Sequence, residues 1–267
     1  MKDYVKSVID GKLTYNDNLN RVREYLQAYF MQVIYKKKFY QNLVFTGGTA
    51  LRFIYQLRRF SEDIDFSLSA KARNYDFPIM IKDIQTEFRL AGYNLEIKYD
   101  HSKTVHSALL KFSDILFETG LSPLKTQKIF IKVEIDSKPP QGGLEVSDVY
   151  NSTSMFYVLH YDLASLLAGK VHALLCRKYA KGRDWYDLLW YLTKFKEVEP
   201  NYIMLNNAMA QASQEPIKID SQNWKSEIRK AAERLDWVKV RNDVSRFLEE
   251  PSEINFLELK TFARLLE

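Results

Sequence analysis

Two aspartates, Asp63 and Asp65, lie in the alternating segment SEDIDFSL. On a strand their carboxylates leave the same face, while Ile64 and Phe66 point into the core. Paired carboxylates are hard oxygen ligands of the kind that Mg²⁺ prefers, and Mn²⁺ can take the same place. A solvated sheet edge also carries acidic pairs, so the surroundings of this pair have to decide between the two interpretations.

A glycine pair precedes the aspartates. The apolar run from Asn42 to Thr46 ends at Gly47 and Gly48, and helical composition begins at Thr49. This pattern predicts a strand, a tight turn and a helix, whose backbone N–H groups and positive N-terminus suit a phosphate, assisted by the hydroxyls of Thr46 and Thr49. A glycine pair alone is an ordinary turn. Followed by the paired aspartates, it predicts an NTP triphosphate site beside a metal site.

A third carboxylate is expected from a neighbouring strand, because two-metal transfer needs a ligand that can activate the attacking hydroxyl. The segment from Lys128 to Asp136 alternates and predicts a strand with Glu134 and Asp136 on the face opposite its apolar residues. We favour Glu134 as the third metal ligand and keep Asp136 as the alternative. Ser61 lies just before the predicted strand that carries Asp63 and Asp65, and its hydroxyl can bind a phosphate or cap a turn.

A predicted helix from about Tyr161 to Lys178 places Lys170 at the centre of a leucine stripe. A cation in this position costs free energy unless an anion faces it. Two kinds of partner are open: Asp184 or Asp187 in a structural ion pair, or the triphosphate of the nucleotide. Asp184 can alternatively cap the helix that follows it.

Four segments follow one another between residues 45 and 190: FTGGTALR, RRFSEDIDFSL, IKVEID and LAGKVHALLCRKYAKGRDWYDLLW. In this order they resemble the motifs of the AbiEii/AbiGii nucleotidyltransferase toxins, a family that includes the mycobacterial MenT toxins. The resemblance implies an α/β (α+β) fold with the mixed sheet of polymerase-β-like nucleotidyltransferases and a C-terminal helical domain. It also implies transfer of a nucleotide from an NTP with Mg²⁺, an antitoxin partner, and relatives that modify tRNA 3′ ends.

The resemblance assigns roles by motif position. Gly47, Gly48 and Thr49 would meet phosphates, Asp63 and Asp65 would hold the metal, and Lys170 and Asp184 would complete the pocket from the helical side. One departure is the order KGRD, which replaces the commoner Arg-x-Lys-Asp. Either Lys181 or Arg183 can therefore be the residue that reaches the substrate.

The remaining pattern predicts two domains. Helical spacing predicts a bracing helix from Asn16 to about Lys38 and a second helix from Pro78 to about Leu90. Strand-like segments cover residues 94–99 and 105–112, and helical patterns follow the loop at residues 139–143. We predict a nucleotidyltransferase domain over residues 1–155 and a helical domain over residues 156–267 that completes the active-site cleft.

The composition predicts an ordinary folded protein of the cytoplasm. The chain has 267 residues, of which 46% are hydrophobic and 27% are charged, and it lacks both a signal peptide and the roughly 20-residue apolar run of a membrane span. Its single cysteine, Cys176, excludes an internal disulfide and a thiolate zinc cluster. The net charge of +5 tolerates a polyanionic partner.

Several acceptors are compatible with this chemistry. The relatives, and the basic residues between Arg177 and Arg183, favour RNA and specifically a tRNA 3′ end. The same metal chemistry also serves a hydroxyl of a small molecule or of a protein. A non-catalytic protein that keeps only the pocket would bind a nucleotide or RNA without transferring anything.

Overall fold

The computed structural model describes residues 2–151 and 154–267. They form two compact units. The sheet unit comprises Met1–Tyr55, Phe60–Lys138 and Val146–His160, and the helical unit comprises Gln56–Arg59, Pro139–Glu145 and Tyr161–Glu267. Each unit therefore contains segments from both sides of residue 155, where the sequence predicts the domain boundary.

The sheet unit is built on a seven-stranded mixed sheet. Its strands are β1 (Leu43–Thr46), β2 (Asp63–Leu68), β3 (Asn94–Asp100), β4 (Val105–Ser113), β5 (Ile129–Asp136), β6 (Glu145–Asn151) and β7 (Met155–Tyr161), in the spatial order β3-β4-β5-β2-β1-β7-β6. Strand β2 is antiparallel to β1 and parallel to β5, and β1 is parallel to β7. The mixed sheet confirms the predicted fold class.

Strands β6 and β7 correct the sequence analysis, which predicts helical structure from the end of the 139–143 loop onward. In β7 the side chains of Phe156 and Val158 are buried, whereas Met155 and Tyr157 are more than half exposed, so this segment alternates as a strand does. Strand β6 is exposed along most of its length and lacks an apolar face that could reveal it. The helical region begins only after Asp162.

The helices of the sheet unit include the predicted bracing helix. They are α1 (Lys2–Ser7), α2 (Tyr15–Lys36), α3 (Gly47–Tyr55), α4 (Phe77–Leu90) and α5 (Ile115–Glu118). A capping box between Thr14 and Asp17 fixes the start of α2, and its side chains Val22, Leu26 and Phe30 are fully buried. Each such side chain contributes about 1.5–3 kcal/mol by burial, so packing of this face holds α2 in the unit.

The helical unit consists mainly of short helices. They are α6 (Leu163–Cys176), α7 (Gly182–Lys194), α8 (Tyr202–Ala212), α9 (Trp224–Glu233), α10 (Trp237–Val244) and α11 (Leu259–Leu265). Trp185 of α7, Trp237 of α10 and Phe262 of α11 meet with ring centroids 5.1–5.6 Å apart. In the described residues of both units, no helix combines the length and the apolar character that crossing a bilayer requires.

Candidate active site

The glycine turn between β1 and α3 lies directly against Asp65. Helix α3 begins at Gly47, two residues before the predicted start at Thr49. Gly47 has a φ of +75°, and a Cβ atom built there would lie 2.3 Å from Asp65 Oδ2. Both the left-handed backbone and this close approach require glycine. The turn therefore combines the N-terminal donors of a helix with a neighbouring carboxylate.

Strand β2 presents its two aspartates as predicted. Asp63 and Asp65 lie on the partly exposed face, whereas Ile64 and Phe66 are buried. The backbone carbonyl of Asp63 accepts hydrogen bonds from the Thr49 hydroxyl and from Gln27 Nε2. These bonds fix the start of the strand that carries both carboxylates.

Thr49 has a different environment from the one that its predicted phosphate contact requires. Its side chain is fully buried, and its hydroxyl is engaged by the Asp63 carbonyl. The hydroxyl therefore holds the backbone of β2 in place. A phosphate could reach only the backbone at this position. Thr46, the other predicted hydroxyl, is partly exposed at the end of β1.

The strand registers place three candidate residues in one row. Asp65 on β2 is opposite Thr46 on β1 and opposite Glu134 on β5. All three residues are partly exposed. Because neighbouring strands lie about 4.8 Å apart, side chains in such a row can share one ligand. The structure thus brings the glycine turn, Asp65 and Glu134 together in the sheet unit.

The charges of these carboxylates stabilise the ammonium of Lys132. Its Nζ lies 2.7 Å from Glu134 Oε1, and the residue is opposite Asp63 in the register of β2 and β5. The hydrogen bond to Glu134 raises the pKa of Lys132, and the charges of Asp63 and Asp65 raise it further. Carboxylate oxygens that together stabilise one cation are the kind of donors that also suit a divalent metal ion.

The three carboxylates are not already gathered around one point. Within residues 2–151 and 154–267, no three carboxylate, histidine or cysteine side chains are arranged so that they could hold a metal ion. Glu134 is engaged with Lys132 instead. If Asp63, Asp65 and Glu134 are to bind one metal ion together, the Glu134 carboxylate has to leave the Lys132 ammonium and bind the metal instead.

The alternative carboxylate, Asp136, lies outside this row. It is opposite Ser67 in β2, and its Oδ1 accepts a hydrogen bond of 2.9 Å from the backbone N–H of Lys138. Ser61 precedes β2, and its carbonyl accepts a hydrogen bond of 3.1 Å from Gln27 Nε2. The register therefore favours Glu134 over Asp136 as the partner of the β2 aspartates.

Within the helical unit, Lys170 forms the ion pairs that the sequence analysis considers. Its Nζ lies 3.0 Å from Asp184 Oδ1 and 2.7 Å from Asp187 Oδ2. The Lys170 side chain is 11% exposed and that of Asp187 is fully buried. Lys170 on α6 is thus tied to two carboxylates that lie one turn apart on α7.

Two arginines extend this group into what we call the charge cluster: Arg59, Lys170, Arg177, Asp184 and Asp187. Arg59 binds both oxygens of Asp187 with hydrogen bonds of 2.6 Å. Arg177 Nη1 lies 3.0 Å from Asp184 Oδ2, a contact without hydrogen-bond geometry. The pair between Arg59 and Asp187 has no signature in the sequence, because the two residues are 128 positions apart and no local pattern links them.

Nearby charges shift the pKa values of Lys170 and Asp184 in the charge cluster. Burial acts to lower the pKa of Lys170, but the nearby charges of Asp187 and Asp184 outweigh it and raise the pKa. Burial acts in the opposite sense on Asp184, and the charges of Lys170 and Arg177 overcome it to lower the Asp184 pKa to about 2. Asp184 and Lys170 are therefore both charged at neutral pH.

The KGRD segment starts helix α7. Lys181 is the N-cap residue of α7, so Asp184, which lies inside the first turn, is not the cap. Gly182 packs tightly, since a Cβ atom there would lie 2.0 Å from the Val240 carbonyl oxygen. The Arg183 guanidinium lies 4.6 Å from the centre of the Phe247 ring, whereas the charge of Lys181 contributes to the low pKa of Asp184.

A family profile and two solved structures match most of the chain. The family profile described as "Nucleotidyl transferase AbiEii toxin, Type IV TA system" matches residues 29–267. A crystal structure of a protein from H. pylori that is assigned as a nucleotidyltransferase matches with a TM-score of 0.54 and 18% identity, over 90% of this chain and 92% of that one. The crystal structure of JHP933 from Helicobacter pylori matches with a TM-score of 0.53 and 18% identity, over 91% of each chain. No protein in the curated set matches the chain.

Proposed function

Because the chain belongs to the AbiEii family of nucleotidyltransferase toxins, we propose that this enzyme transfers a nucleotide from an NTP to a hydroxyl of RNA. A tRNA 3′ end is the proposed acceptor. The observation that carries the proposal is the row of Thr46, Asp65 and Glu134, with Gly47 directly against Asp65. In this arrangement the donors for a triphosphate and the carboxylates for a metal lie side by side.

The proposed metal ligands are Asp63, Asp65 and Glu134, and the proposed ion is Mg²⁺ or Mn²⁺. When bound, the ion neutralises charge on the phosphates and favours ionisation of the attacking hydroxyl. The support for this site is the shared face of the two aspartates and their combined effect, with Glu134, on Lys132. Lys132 is close enough to replace the metal at Glu134 when no nucleotide is bound.

The remaining residues orient the substrates and take up the proton. The backbone N–H groups at Gly47 and Gly48 bind the triphosphate, with the Thr46 hydroxyl beside them. Glu134 accepts the proton of the acceptor hydroxyl. The acceptor oxygen then forms a bond to the α-phosphorus while the bond from that phosphorus to the bridging oxygen breaks, and pyrophosphate leaves.

The charge cluster has a proposed role in nucleotide binding. Lys170 contributes a positive charge to the NTP phosphates, and Asp184 fixes the position of its ammonium. The support is that Lys170 lies within the residues that match the family profile and that two carboxylates hold its ammonium at 2.7–3.0 Å. Lys181 is favoured over Arg183 as the second basic residue, because the Arg183 guanidinium lies over Phe247.

The basic residues between Arg177 and Arg183 support RNA as the acceptor, because a polyanion is attracted to clustered cations. The test is incubation of the protein with each α-labelled NTP, Mg²⁺ and deacylated tRNA. We expect labelled tRNA and released pyrophosphate from the wild type and none from Asp65→Asn, with Asp136→Asn as the matched control. Transfer of the label to protein or to a small molecule, with tRNA unlabelled, would overturn the proposed acceptor.

A tRNA whose terminal 2′,3′-diol has been oxidised by periodate provides a second control. This treatment destroys the proposed acceptor hydroxyls and leaves the rest of the tRNA intact. We expect the oxidised tRNA to remain unlabelled. Equal labelling of oxidised and intact tRNA would mean that the acceptor is another group of the RNA.

A further inference from the structure

The charge cluster contains more cations than carboxylates. Three positive side chains, Arg59, Lys170 and Arg177, form ion pairs with Asp184 and Asp187, so these five groups carry a net charge of +1. Asp187 and Asp184 each pair with two cations, and Lys170 pairs with both carboxylates. The Arg177 side chain is 32% exposed, whereas the other four side chains are at most 11% exposed and together carry no net charge. Removal of Arg59 would leave this buried group with a net negative charge, which is costly.

Arg59 is the least accessible cation of the cluster. Its side chain is 2% exposed, and its guanidinium forms the parallel pair of hydrogen bonds to Asp187. A β-bridge to Leu248 and a hydrogen bond from the Glu249 N–H to the Arg58 carbonyl hold the backbone of this segment. Arg59 is therefore committed to Asp187, whereas the Lys170 side chain retains some exposure.

We propose that Arg59 is a positioning residue, which neutralises Asp187 so that the charge of Lys170 remains available for the phosphates of the nucleotide. The inference rests on the proposed role of Lys170 in NTP binding. Without Arg59, Lys170 would be the remaining cation at Asp187 within the cluster, and the cluster charge would fall from +1 to zero. Arg59 thus acts on the nucleotide through Asp187 and Lys170, without contacting the nucleotide itself.

The inference is tested with inorganic tripolyphosphate as the probe, titrated calorimetrically into the full-length protein without a metal. The Lys170→Met variant shows how much tripolyphosphate affinity is lost when the proposed phosphate-binding ammonium is removed. We expect Arg59→Met to weaken tripolyphosphate binding at least about tenfold, which corresponds to about 1.4 kcal/mol. The matched control is Arg58→Met, because Arg58 is the adjacent arginine but pairs with Glu253 outside the cluster. This control should bind like the wild type.

A rescue variant separates positioning from a purely structural role. In Arg59→Met/Asp187→Asn the carboxylate that Arg59 neutralises is gone, so the cluster charge returns to +1 and no buried Asp187 charge is left unpaired. We expect this double variant to bind tripolyphosphate within about threefold of the wild type, a difference of about 0.65 kcal/mol. A residue needed only for packing would show no such recovery.

Each outcome decides the inference. Unchanged binding by Arg59→Met, or a double variant as weak as the single one, overturns it. If Arg59→Met does not fold, the double variant decides alone, since near-normal binding supports the inference and loss of binding overturns it. If Lys170→Met binds as the wild type does, Lys170 is not a phosphate ligand and the inference fails with it. The tRNA-labelling assay tests nucleotidyl transfer separately, so the two failures are distinguishable.

Discussion

Replacing Gly47 by alanine would perturb Asp65 without changing any charged residue. A left-handed conformation costs a residue with a Cβ atom about 1–2 kcal/mol, which corresponds to a Tm lowered by about 2–8 °C at this chain length. The new Cβ atom would also lie 2.3 Å from Asp65 Oδ2 and 3.0 Å from its Cγ, so the carboxylate has to rotate away. This rotation breaks the row with Glu134. Because misplacement by about 1 Å costs about 100-fold in rate, we expect at least that loss of transfer.

Gly120→Ala is the matched control for this substitution. Gly120 has a φ of +74°, and a Cβ atom there would meet nothing within 4 Å. Thermal melts should therefore show a similar loss of stability in both variants, whereas the labelled-NTP assay should show loss of transfer only in Gly47→Ala. If both variants transfer equally well, or lose transfer equally, the contact between Gly47 and Asp65 does not explain the effect.

Three further predictions address the carboxylates and the biological role. Glu134→Gln should slow single-turnover transfer far more than Asp136→Asn, because only Glu134 is in register with Asp65; the reverse order would assign the third ligand to Asp136. The pKa of Asp184 is about 2 in the folded protein and about 3.9 in the unfolded chain. The ionised carboxylate therefore adds about 2–3 kcal/mol to the free energy of unfolding above pH 4, and this contribution is lost as the pH falls through 2. Urea unfolding between pH 2 and 5 should therefore show a shallower acid limb for Asp184→Asn, and parallel limbs would contradict the pairing. Expression without an antitoxin should slow bacterial growth for the wild type but not for Asp65→Asn, and equal growth would remove the support for a toxin role in that host.

The parts of the fold that the sequence predicts are those with strong local patterns. Buried side chains alternate with more exposed ones along the whole of β5 and from Asp63 to Phe66 in β2, so the shared face of Asp63 and Asp65 follows from spacing alone. Pro78 likewise locates the start of α4. These features depend on neighbouring residues in the chain, and such residues are visible without the structure.

Other features depend on contacts between distant residues. The exposed strand β6 has no apolar alternation, and the burial of the Thr49 hydroxyl depends on its hydrogen bond to Asp63. The Gln56–Arg59 segment of the helical unit pairs with residues far along the chain, with Leu248 through a β-bridge and with Asp187 through an ion pair. Propensity and periodicity extend over a few turns or a single strand, so none of these three features has a signature in the local sequence.

The placement of Gln56–Arg59 has a consequence for how the protein is made. Ribosomes add about 5–20 residues per second, so Asp187, which lies 128 residues after Arg59, emerges about 6–26 s later. A nascent chain that has just completed β7 already contains Asp63, Asp65 and Glu134, but Arg59 still lacks the carboxylate against which it will be buried. We therefore expect incomplete chains to lack the charge cluster even when the strands of the sheet unit are complete. For a toxin, this order of synthesis would delay activity at least until Asp187, residue 187 of 267, has been made.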